Sequence, residues 1–534
     1  MANLRPKYNL TMRIRDIVLA AITGIILVLL FPKFNRELLA WVALIPLLYA
    51  LWDKPVVQSF WLGWLAGVIY FGGVLYWVTN TMVNYGGLPI VISFLLLLLL
   101  VTYLGLYVAL FSLLLNFLVR RILLFYAILP PFLWTSLELI RAHFLTGFPW
   151  ASLGYSQFLT LPIIQIADIT GVYGVSFLIV WINAALAALV IGLKEKQLSV
   201  PRALFLGLAP LLVLLSALVY GQWTIGQYPL PGGRDKGIKV AIIQGNIEQD
   251  AKWDPAYQDQ VVNIYEGLSL ACSTAQPHLI VWPETATPFF YQSDTKYAPE
   301  MVAIARQSRS YLLFGSPAYQ TAGKVIKMFN RAYLLAPQQG LLAQYDKIHL
   351  VPFGEYVPVK KLLPFVQKMV EGIGDFYSGQ EFTVMAIPQG RFSVLICFEI
   401  IFPDLVRQFV KRGAQFLANI TNDAWFGRSA ASYQHISIGS FRAVENRVCI
   451  VRAANTGISA IIDPLGRIGN ATELFVQTMI QGTIWPKGNT TTFYTAYGDV
   501  FAYLCTIIVA IALIAKAIKI RSSVLIVQPR SDTK

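Results

Sequence analysis

Long apolar segments constrain the fold of this chain more than any other feature of its sequence. Residues 1–223 and 500–520 are almost continuously apolar, whereas residues 224–494 have the mixed composition of an ordinary globular domain. A helix needs about 20 apolar residues to cross the hydrocarbon core of a bilayer. Only 13% of the 534 residues are charged, against about a quarter in soluble proteins. The sequence therefore predicts a membrane α-helical bundle that carries one large domain with its own core.

Eight segments of the apolar regions have the length and composition of membrane spans. The first two are short and are separated by the polar run 32–36, and the fourth is too long for one untilted span. The predicted spans are residues 15–32, 37–52, 58–80, 89–119, 122–142, 163–192, 203–223 and 498–518. They divide the chain into a seven-helix transmembrane region (1–223), an intervening domain (224–494), and a C-terminal transmembrane helix with a basic tail (495–534).

Basic residues lie mainly on one side of the predicted bundle. Such residues mark cytoplasmic connections, and the connections on that side hold Lys54, Arg120, Arg121, Lys194, Lys196 and Arg202, followed in the tail by Lys516, Lys519, Arg521, Arg530 and Lys534. The opposite side holds only Lys33, Arg36 and Arg141. With a cytoplasmic N-terminus, seven crossings place residues 224–494 outside the cytoplasm.

The basic N-terminus resembles the first part of a signal peptide. Arg5, Lys7, Arg13 and Arg15 precede the first span, but the bulky run 29–32 offers no small-residue cleavage site. We therefore expect an uncleaved membrane anchor. The net charge of +14 is compatible with nucleic-acid binding. Because the basic residues cluster at the ends of apolar segments, membrane orientation explains this charge better, and we predict no nucleic-acid partner.

Two charged residues lie within the fifth predicted span. Glu138 and Arg141 are three positions apart, so they share a helix face and can neutralise one another. They precede the run 147–150, whose Gly, Pro and aromatic residues are typical of a membrane interface. A structural ion pair is the favoured interpretation, and contact with a lipid headgroup is the alternative.

Short apolar runs separated by polar or amphipathic stretches predict an α/β domain within residues 224–494. Helices are expected at 255–275, 298–309 and 441–448. The predicted strands are residues 238–244, 279–282, 311–314, 332–335, 394–396, 416–420, 449–453 and 458–462. Three of these strands end in polar residues, namely Glu284, Cys397 and the run 421–423. Because ligands gather at the carboxyl ends of strands in α/β sheets, a carboxylate and a thiol can meet there.

Each of these signals is weak when taken alone. A Glu after Trp-Pro is more often a surface carboxylate, and a Cys at a buried strand end is more often a small core residue. The run 345–358, Tyr-Asp-Lys-Ile-His-Leu-Val-Pro-Phe-Gly-Glu-Tyr-Val-Pro, changes this balance. It is too polar for a core and too aromatic for a solvated loop. It therefore favours a functional site.

Three motifs resemble the signatures of the nitrilase superfamily. They are Trp282–Glu284, the run 345–358 and Cys397–Glu399, and they follow the superfamily's order of Glu, Lys and Cys. Phe398 stands where relatives often have Tyr. Together with the bundle and the final span, these motifs resemble the apolipoprotein N-acyltransferase family, over nearly the whole chain. The resemblance includes residues 147–150, 171–174, 492–494 and 497–499.

The resemblance implies a fold and a location. Residues 224–494 would form a nitrilase-like αββα sandwich. The protein would be a multi-pass enzyme of the bacterial inner membrane, with its catalytic domain on the periplasmic side. It would carry out the last step of lipoprotein maturation.

Acyl transfer through a covalent enzyme needs a nucleophile, a base and an oxyanion stabiliser. We assign Cys397 as the nucleophile, Glu284 as the base, and Lys347 as the cation that holds the tetrahedral oxyanion. The order would be ping-pong, with a thioester on Cys397 between the half-reactions. Further supporting or substrate-binding candidates are Glu355, Tyr356, Glu399 and Trp425. Glu399 has a structural alternative, and for Trp425 and Phe426 core packing is an equal alternative.

The resemblance also implies the substrates. The donor would be a membrane phospholipid, and the acceptor would be the α-amine of the N-terminal diacylglyceryl-cysteine of a lipoprotein. A membrane-tethered amidase, a transporter and an inactive binding module are the alternatives. Eight spans are unnecessary for an amidase, the spans lack the midplane charges of a transporter, and the intact Glu–Lys–Cys set argues against an inactive module.

No cofactor or metal is expected. The four histidines, His143, His278, His349 and His435, are scattered along the sequence. Three of the four cysteines, Cys272, Cys397 and Cys449, lie in the intervening domain and the fourth is Cys505, so at least one thiol of the domain is free. The sequence leaves open whether Cys272 and Cys449 pair with each other.

Overall fold

A computed structural model of the chain describes residues 12–228, 237–252, 254–323, 325–356 and 376–527. Several residues used in the predictions lie outside these ranges. They are Arg5 and Lys7 at the N-terminus, Val357 and Pro358 at the end of the second motif, and Arg530 and Lys534 in the tail.

The first part of the chain is helical. Its helices are α1 (Ile14–Leu29), α2 (Ile45–Leu51), α3 (Val56–Leu75), α4 (Trp77–Asn84), α5 (Ile90–Val119), α6 (Leu123–His143), α7 (Leu161–Ile164), α8 (Ala167–Thr170), α9 (Val172–Lys194) and α10 (Val200–Gln227). The last helix of the chain is α17 (Val500–Val527). In the described part of the chain, six helices are long and apolar enough to cross a membrane: α3, α5, α6, α9, α10 and α17.

The prediction of one continuous helix over residues 37–52 is wrong. This segment consists of a 3₁₀ turn, Glu37–Trp41, followed by the seven residues of α2. Pro46 stands in the first turn of α2, where its missing N–H is tolerated, but it would interrupt a longer helix. The segment nevertheless reverses the chain, because the Nζ atom of Lys54 lies 2.8 Å from the Oδ2 atom of Asp16 at the start of α1.

The predicted span 163–192 begins later than expected. Residues 161–170 form the short helices α7 and α8, and the spanning helix α9 starts at Val172. The break lies at Gly171, whose φ of +63° is outside the helical region. A Cβ atom at this position would come within 2.6 Å of the Tyr494 ring. Gly171 therefore both ends the short helix and allows the close approach of a later segment.

The described helices show which connections share an end of the bundle. At one end, Lys54 binds Asp16, the Nη2 atom of Arg120 donates to the Asp53 carbonyl (2.9 Å), and Lys194 donates to the Tyr49 hydroxyl (2.7 Å). At the other end, the connections contact the α/β domain. The Thr81 hydroxyl donates to the carbonyl of Trp425 (2.8 Å), and Gln165 donates to the carbonyl of Leu465 (3.0 Å). The α/β domain therefore sits on the end opposite Lys54 and Lys194.

The α/β domain is built on two six-stranded sheets. The first has the strand order β12-β1-β2-β3-β4-β5 and the second has the order β11-β10-β9-β8-β7-β6. The strands are β1 (Ile238–Gln244), β2 (Leu279–Val281), β3 (Tyr311–Ala322), β4 (Val325–Ala336), β5 (Gly340–Asp346), β6 (Met385–Ile387), β7 (Gly390–Ile396), β8 (Phe416–Thr421), β9 (Cys449–Ala454), β10 (Ala460–Ile462), β11 (Ile468–Gly469) and β12 (Thr478–Ile484). The helices are α11 (Gln249–Lys252), α12 (Gln258–Cys272), α13 (Tyr297–Ser308), α14 (Pro403–Lys411), α15 (Ala431–Asn446) and α16 (Phe493–Tyr497).

Side-chain alternation along β1 places this strand between two apolar layers. Val240 and Ile242 belong to the same buried cluster as Val394 on the second sheet, so the sheets pack face to face. Ala241 and Ile243 point the other way, into a cluster with residues of α12 and α13. On the outer side of the second sheet, α14 contacts β7 and α15 contacts β9. The domain is therefore an αββα sandwich, and the predicted fold class is confirmed.

Most of the predicted strands lie within observed ones, but their bounds differ. Residues 332–335 are only the last part of β4, and residues 441–448 overlap the end of the longer helix α15. The prediction missed β5, β6, β11 and β12. Strand β12 is mostly half-buried and β11 has only two residues, so neither carries a strong apolar pattern.

Candidate active site

Glu284 lies just beyond the carboxyl end of β2. Its carboxylate is buried, and both oxygens are hydrogen-bonded. The Asn330 side chain on β4 donates to Oε1 (2.8 Å), and the backbone N–H of Asn422 beyond β8 donates to Oε2 (2.9 Å). These contacts fix the orientation of the carboxylate. They also bring the ends of strands from both sheets to one place.

Lys347 follows β5 and lies between two carboxylates. Its Nζ atom is 2.9 Å from Glu355 and 3.6 Å from the Oε1 atom of Glu284. Burial alone would lower the pKa of Lys347, but Glu355 and Glu284 outweigh it and the pKa is raised. Lys347 therefore stays protonated. The Asn330 amide donates to both carboxylates, which fixes their separation around the ammonium.

Cys397 is the first residue after β7 and opens a 3₁₀ segment, Cys397–Ile401. Its φ is +53°, a left-handed conformation that is costly for any residue with a side chain. The side chain is half-buried, whereas Cys272, Cys449 and Cys505 are buried. All four thiols are free, so Cys272 and Cys449 do not form a disulfide. The turn presents Cys397 at the same edge of the sandwich as Glu284.

The electrostatic surroundings of Cys397 favour the neutral thiol at rest. Burial raises the pKa of Cys397, the negative charge of Glu284 raises it further, and the nearby ammonium of Lys347 lowers it. Burial dominates, so the thiol keeps its proton in the resting structure. The Glu284 carboxylate and the Lys347 ammonium both lie close enough to Cys397 to influence its pKa. The structure thus brings the three predicted residues together.

Glu399 lies behind the cysteine and connects two loops. Its Oε1 atom accepts hydrogen bonds from the Tyr345 hydroxyl (2.7 Å) and from the backbone N–H groups of Ile348 (2.7 Å) and His349 (3.1 Å). Its Oε2 atom accepts from the N–H of Ile396 (2.7 Å). Burial raises the pKa of Glu399 to about 7 despite these donors. The arrangement favours the structural interpretation: Glu399 ties the Cys397 turn to the Lys347 loop.

Glu355 and Tyr356 lie in the loop that follows Lys347. The Glu355 carboxylate accepts from the Lys347 ammonium, from Asn330 and from the backbone N–H of Val351 (2.8 Å). Glu355 therefore holds the cation and closes its own loop. Tyr356 is half-buried, and its backbone carbonyl accepts from the N–H of Phe353 (2.7 Å).

Trp425 and Phe426 lie where the α/β domain meets the bundle. Trp425 is 38% exposed and its ring lies 5.1 Å from that of Tyr85. Phe426 packs between Trp77 and Trp150 of the bundle, at ring distances of 4.9 and 6.2 Å. Phe426 is thus a packing residue of this contact, whereas Trp425 keeps an exposed face beside it.

The predicted ion pair of Glu138 and Arg141 is wrong. Both side chains are buried, but in the described structure each binds other partners. Glu138 accepts from the Trp134 indole N–H (2.9 Å) and from the backbone N–H of Leu153 (2.7 Å). Arg141 donates to the carbonyl of Trp150 (2.6 Å) and to the hydroxyl of Ser152 (3.1 Å). They therefore fix the segment that carries Trp150.

Sequence reasoning missed Asn330 and Lys252. Asn330 and Arg331 form a polar pair in β4 between the apolar runs 328–329 and 332–336, and this interruption was the available signal. Lys252 is buried on α11, and its ammonium donates to the backbone carbonyl of Glu284 (3.4 Å). Burial lowers the pKa of Lys252 to about 8, against the opposing effect of Glu284. Nothing in its sequence context marks it. In the described part of the chain, no cluster of His, Cys, Asp and Glu suits a metal ion.

The αββα sandwich with Glu, Lys and Cys at one edge defines a nitrilase-type enzyme domain. Residues 239–488 match the family described as carbon-nitrogen hydrolase, and residues 23–185 match the apolipoprotein N-acyltransferase N-terminal domain. Among solved structures, the chain is similar to a mutant of the Nesterenkonia AN1 amidase from the nitrilase superfamily, with a TM-score of 0.39 and 17% identity over 51% of this chain and 98% of that chain.

Curated relatives named apolipoprotein N-acyltransferase match this chain over nearly its full length. The apolipoprotein N-acyltransferase of Geobacter metallireducens is 46% identical, over 92% of this chain and 93% of the relative. That of Pseudomonas putida is 32% identical, over 93% and 96%, and that of Haemophilus influenzae is 32% identical, over 92% and 93%. The chain belongs to the apolipoprotein N-acyltransferase family. The predicted family and the prediction of an acyltransferase enzyme are confirmed.

Proposed function

We propose that this enzyme transfers a fatty acyl chain from a membrane phospholipid to the α-amine of an N-terminal diacylglyceryl-cysteine, through a thioester on Cys397. The observation that carries the proposal is the grouping of Cys397, Glu284 and Lys347 at the end of a membrane bundle. A soluble amidase needs no such bundle. Two lipid substrates do, because their reactive groups lie at the membrane surface.

The catalytic domain is proposed to lie on the periplasmic side of the inner membrane. Basic residues support this orientation, because Lys54, Arg120 and Lys194 lie at the end of the bundle opposite the α/β domain. Positively charged connections stay in the cytoplasm. Residues 224–494 would then be the extracytoplasmic catalytic domain, between a transmembrane region at 1–223 and a final helix and cytoplasmic tail at 495–534.

In the first half-reaction, Glu284 accepts the proton of the Cys397 thiol as the sulfur attacks the ester carbonyl of the donor. The carbonyl oxygen becomes an oxyanion, which the Lys347 ammonium stabilises. The carbon–oxygen bond to glycerol then breaks. The leaving alkoxide takes the proton from Glu284 and departs as a lysophospholipid, which leaves the acyl chain on sulfur.

In the second half-reaction, the acceptor amine attacks the thioester carbonyl. Glu284 accepts the amine proton and Lys347 again holds the oxyanion. The carbon–sulfur bond breaks, the amide forms, and the proton on Glu284 returns to the thiolate. The resting thiol is restored without any cofactor.

The remaining predicted residues support this chemistry. Glu355 holds the Lys347 ammonium, and Glu399 holds the Cys397 turn against the Lys347 loop. Trp425 keeps an exposed face beside the contact with the bundle, and this face is proposed to line the path of the acyl chain. Tyr356 is proposed to line the same substrate path.

The thioester is tested by intact-mass analysis of the purified enzyme after incubation with phospholipid. We expect one fatty-acyl adduct on Cys397 that hydroxylamine removes. Cys397→Ala should abolish the adduct, and Glu284→Gln should slow both its formation and its discharge by about 100-fold or more, the size of a general-base contribution. Cys449→Ala is the matched control and should keep the adduct, because that thiol is buried on β9. Active enzyme that never carries an acyl group on Cys397 would contradict the mechanism.

A further inference from the structure

Three ionisable side chains form a buried cluster behind the Cys397 turn. Asp423, His435 and Arg452 come from the segment after β8, from α15 and from β9, and each is at most 1% exposed. The Nη2 atom of Arg452 lies 2.8 Å from the Oδ2 atom of Asp423 and 3.0 Å from the Nδ1 atom of His435. The same His435 nitrogen lies 3.2 Å from the Oδ1 atom of Asp423. Buried charges are costly unless they are paired, so these positions are mutually dependent.

The cluster carries one positive and one negative charge. Burial lowers the pKa of His435, Arg452 lowers it further, and Asp423 opposes them, so the ring is neutral. The pKa of Asp423 is lowered: burial raises it, but Arg452 and then His435 outweigh burial. Asp423 and Arg452 therefore form a compensated ion pair, with the imidazole ring against it.

The ion pair is connected to the backbone of the nucleophile. Arg452 donates through Nη1 to the side-chain oxygen of Asn419. The Asn419 amide in turn donates to the carbonyls of Leu395 (3.0 Å) and Cys397 (3.5 Å). The hydroxyl of Thr421 donates to the Oδ1 atom of Asp423 (2.9 Å). These bonds hold the backbone on which Cys397 adopts its left-handed conformation.

The cluster is also packed against the bundle. The Trp150 ring stacks on the His435 ring, with centroids 5.7 Å apart and an interplanar angle of 28°. The neighbouring residue Gln434 accepts hydrogen bonds from the indole N–H groups of Trp150 (2.8 Å) and Trp77 (3.3 Å). Trp150 is itself fixed through its carbonyl by Arg141. The connection that follows α6 thus contacts His435, the residue that touches the ion pair.

We propose that Asp423, His435 and Arg452 are positioning residues, which hold the Cys397 turn in its reactive geometry and seat it on the bundle through Trp150. This inference rests on the proposed thioester function of Cys397. None of the three residues needs to touch substrate. Their role is to fix the thiol relative to Glu284 and Lys347 and to balance the charge that it experiences.

The charge balance gives a signature that a purely structural role lacks. The charged groups facing Cys397 are Glu284 beyond β2, Lys347 beyond β5 and Asp423 beyond β8, with Arg452 on β9 compensating Asp423. Asp423 raises the pKa of Cys397. Without the charge of Asp423, the uncompensated Arg452 would stabilise the thiolate. Without the charge of Arg452, the uncompensated Asp423 would disfavour it. Removing the charge of Asp423 should therefore lower the pKa of Cys397, and removing the charge of Arg452 should raise it.

The experiment uses the full-length enzyme in detergent and follows alkylation of Cys397 by iodoacetamide against pH, with peptide mass spectrometry as the readout. Asp423→Asn should lower the alkylation midpoint by about one pH unit, and Arg452→Gln should raise it by about the same amount. Arg452→Lys keeps the charge and should keep the wild-type midpoint. In all three variants, acyl-enzyme formation should slow by about 10-fold or more, because the thiol is misplaced, while the KM for phospholipid changes by less than about threefold.

Asp168→Asn is the matched control. Asp168 on α8 pairs with Arg447 at the end of α15 (2.7 Å), so this variant also breaks an ion pair between bundle and domain. We expect its alkylation midpoint and acylation rate to equal those of the wild type. Midpoints that shift in the same direction in Asp423→Asn and Arg452→Gln, or unchanged midpoints with wild-type rates, would overturn the proposal.

A neutral substitution covers the case in which the charge-altering variants do not fold. His435→Gln leaves the ion pair in place, so the midpoint should stay unchanged while acyl-enzyme formation slows by about 10-fold or more. An unchanged rate in a folded His435→Gln enzyme would contradict the proposal. Alkylation needs no lipid. Opposite midpoint shifts in an enzyme that never forms a thioester would therefore refute the proposed function and leave the positioning of Cys397 standing.

Discussion

At the scale of single residues, the active site depends on carboxylates with different partners. Glu284 has two neutral donors and a cation nearby, and Glu355 binds the cation directly. Glu399 accepts from four donors on two segments of the chain, residues 345–349 and the end of β7. Because all three residues are glutamates, the sequence distinguishes their roles only through the motifs in which they occur. Their separate roles follow from which atoms lie within hydrogen-bond distance, and this is a tertiary property.

Glu399 provides a prediction with a defined pH dependence. Burial raises its pKa to about 7 in the folded state, above the usual value of about 4.3. A raised pKa adds stability below the unfolded value that is lost as pH rises through the folded value. The free energy of unfolding should therefore decrease between about pH 4 and pH 8, by on the order of 3 kcal/mol.

This prediction is tested by comparing the wild type with Glu399→Gln, with the stability of both measured by thermal unfolding at several pH values. The amide cannot accept all four hydrogen bonds, so the variant should be less stable by about 1–3 kcal/mol at low pH. Its stability should lack the wild-type decrease with pH, and its acylation rate should fall because the Cys397 turn is released. If the stability of Glu399→Gln depended on pH as that of the wild type does, the dependence would come from another group and the prediction would be wrong.

At the scale of secondary-structure elements, the apolar pattern predicted the long helices well and the broken ones badly. Helices α5, α6 and α10 follow predicted spans closely. The predicted spans 37–52 and 163–192 are apolar but are not continuous helices, because Pro46 interrupts the first and the positive φ of Gly171 interrupts the second. Hydropathy measures how well a segment tolerates lipid. It does not measure whether the backbone continues as one helix.

Gly171 gives the prediction at this scale. Gly171→Ala combines a φ of +63° with a Cβ only 2.6 Å from the Tyr494 ring. We expect a loss of about 1–3 kcal/mol in the free energy of unfolding, measured as a lower Tm in detergent. Gly207→Ala on α10 is the matched control, because a Cβ there would meet nothing within 4 Å. It should leave the Tm unchanged or raise it, since Ala favours helix over Gly. Equal effects of the two substitutions would contradict the role of Gly171.

At the scale of the whole molecule, the α/β domain sits on one end of the bundle and shares buried contacts with it. The hydrogen bond from the Trp150 indole N–H to Gln434 (2.8 Å) and the packing of Phe426 against Trp77 are examples. Such contacts fix the candidate site relative to the bundle. Under the proposed function, they would hold the site at the membrane surface, where lipid ester groups lie, which a flexible tether would not achieve.

Orientation is the testable property at this scale. Lys296 lies on the exposed surface of the α/β domain, and Lys196 lies in the exposed connection between α9 and α10. Each is replaced by cysteine in a separate variant, Lys296→Cys and Lys196→Cys. In intact spheroplasts, a membrane-impermeant maleimide should label the first variant, and it should label the second only after permeabilisation. Each Lys→Cys change stands in a Cys397→Ala background, which removes the one half-buried native thiol. The reverse labelling pattern would place the catalytic domain in the cytoplasm.

The sequence by itself determined the membrane bundle and the α/β class of the domain, and it singled out Glu284, Lys347 and Cys397 as the candidate site. These follow from composition, periodicity and three motifs, which are local properties of the chain. Only the tertiary structure decided that Glu138 and Arg141 hold the Trp150 segment rather than each other, and that Asn330 bridges Glu284 and Glu355. It also decided that Asp423, His435 and Arg452 meet behind Cys397. The partners of buried polar residues depend on distance in space, and Asp423, just beyond β8, and Arg452, on the neighbouring strand β9, are far apart along the chain.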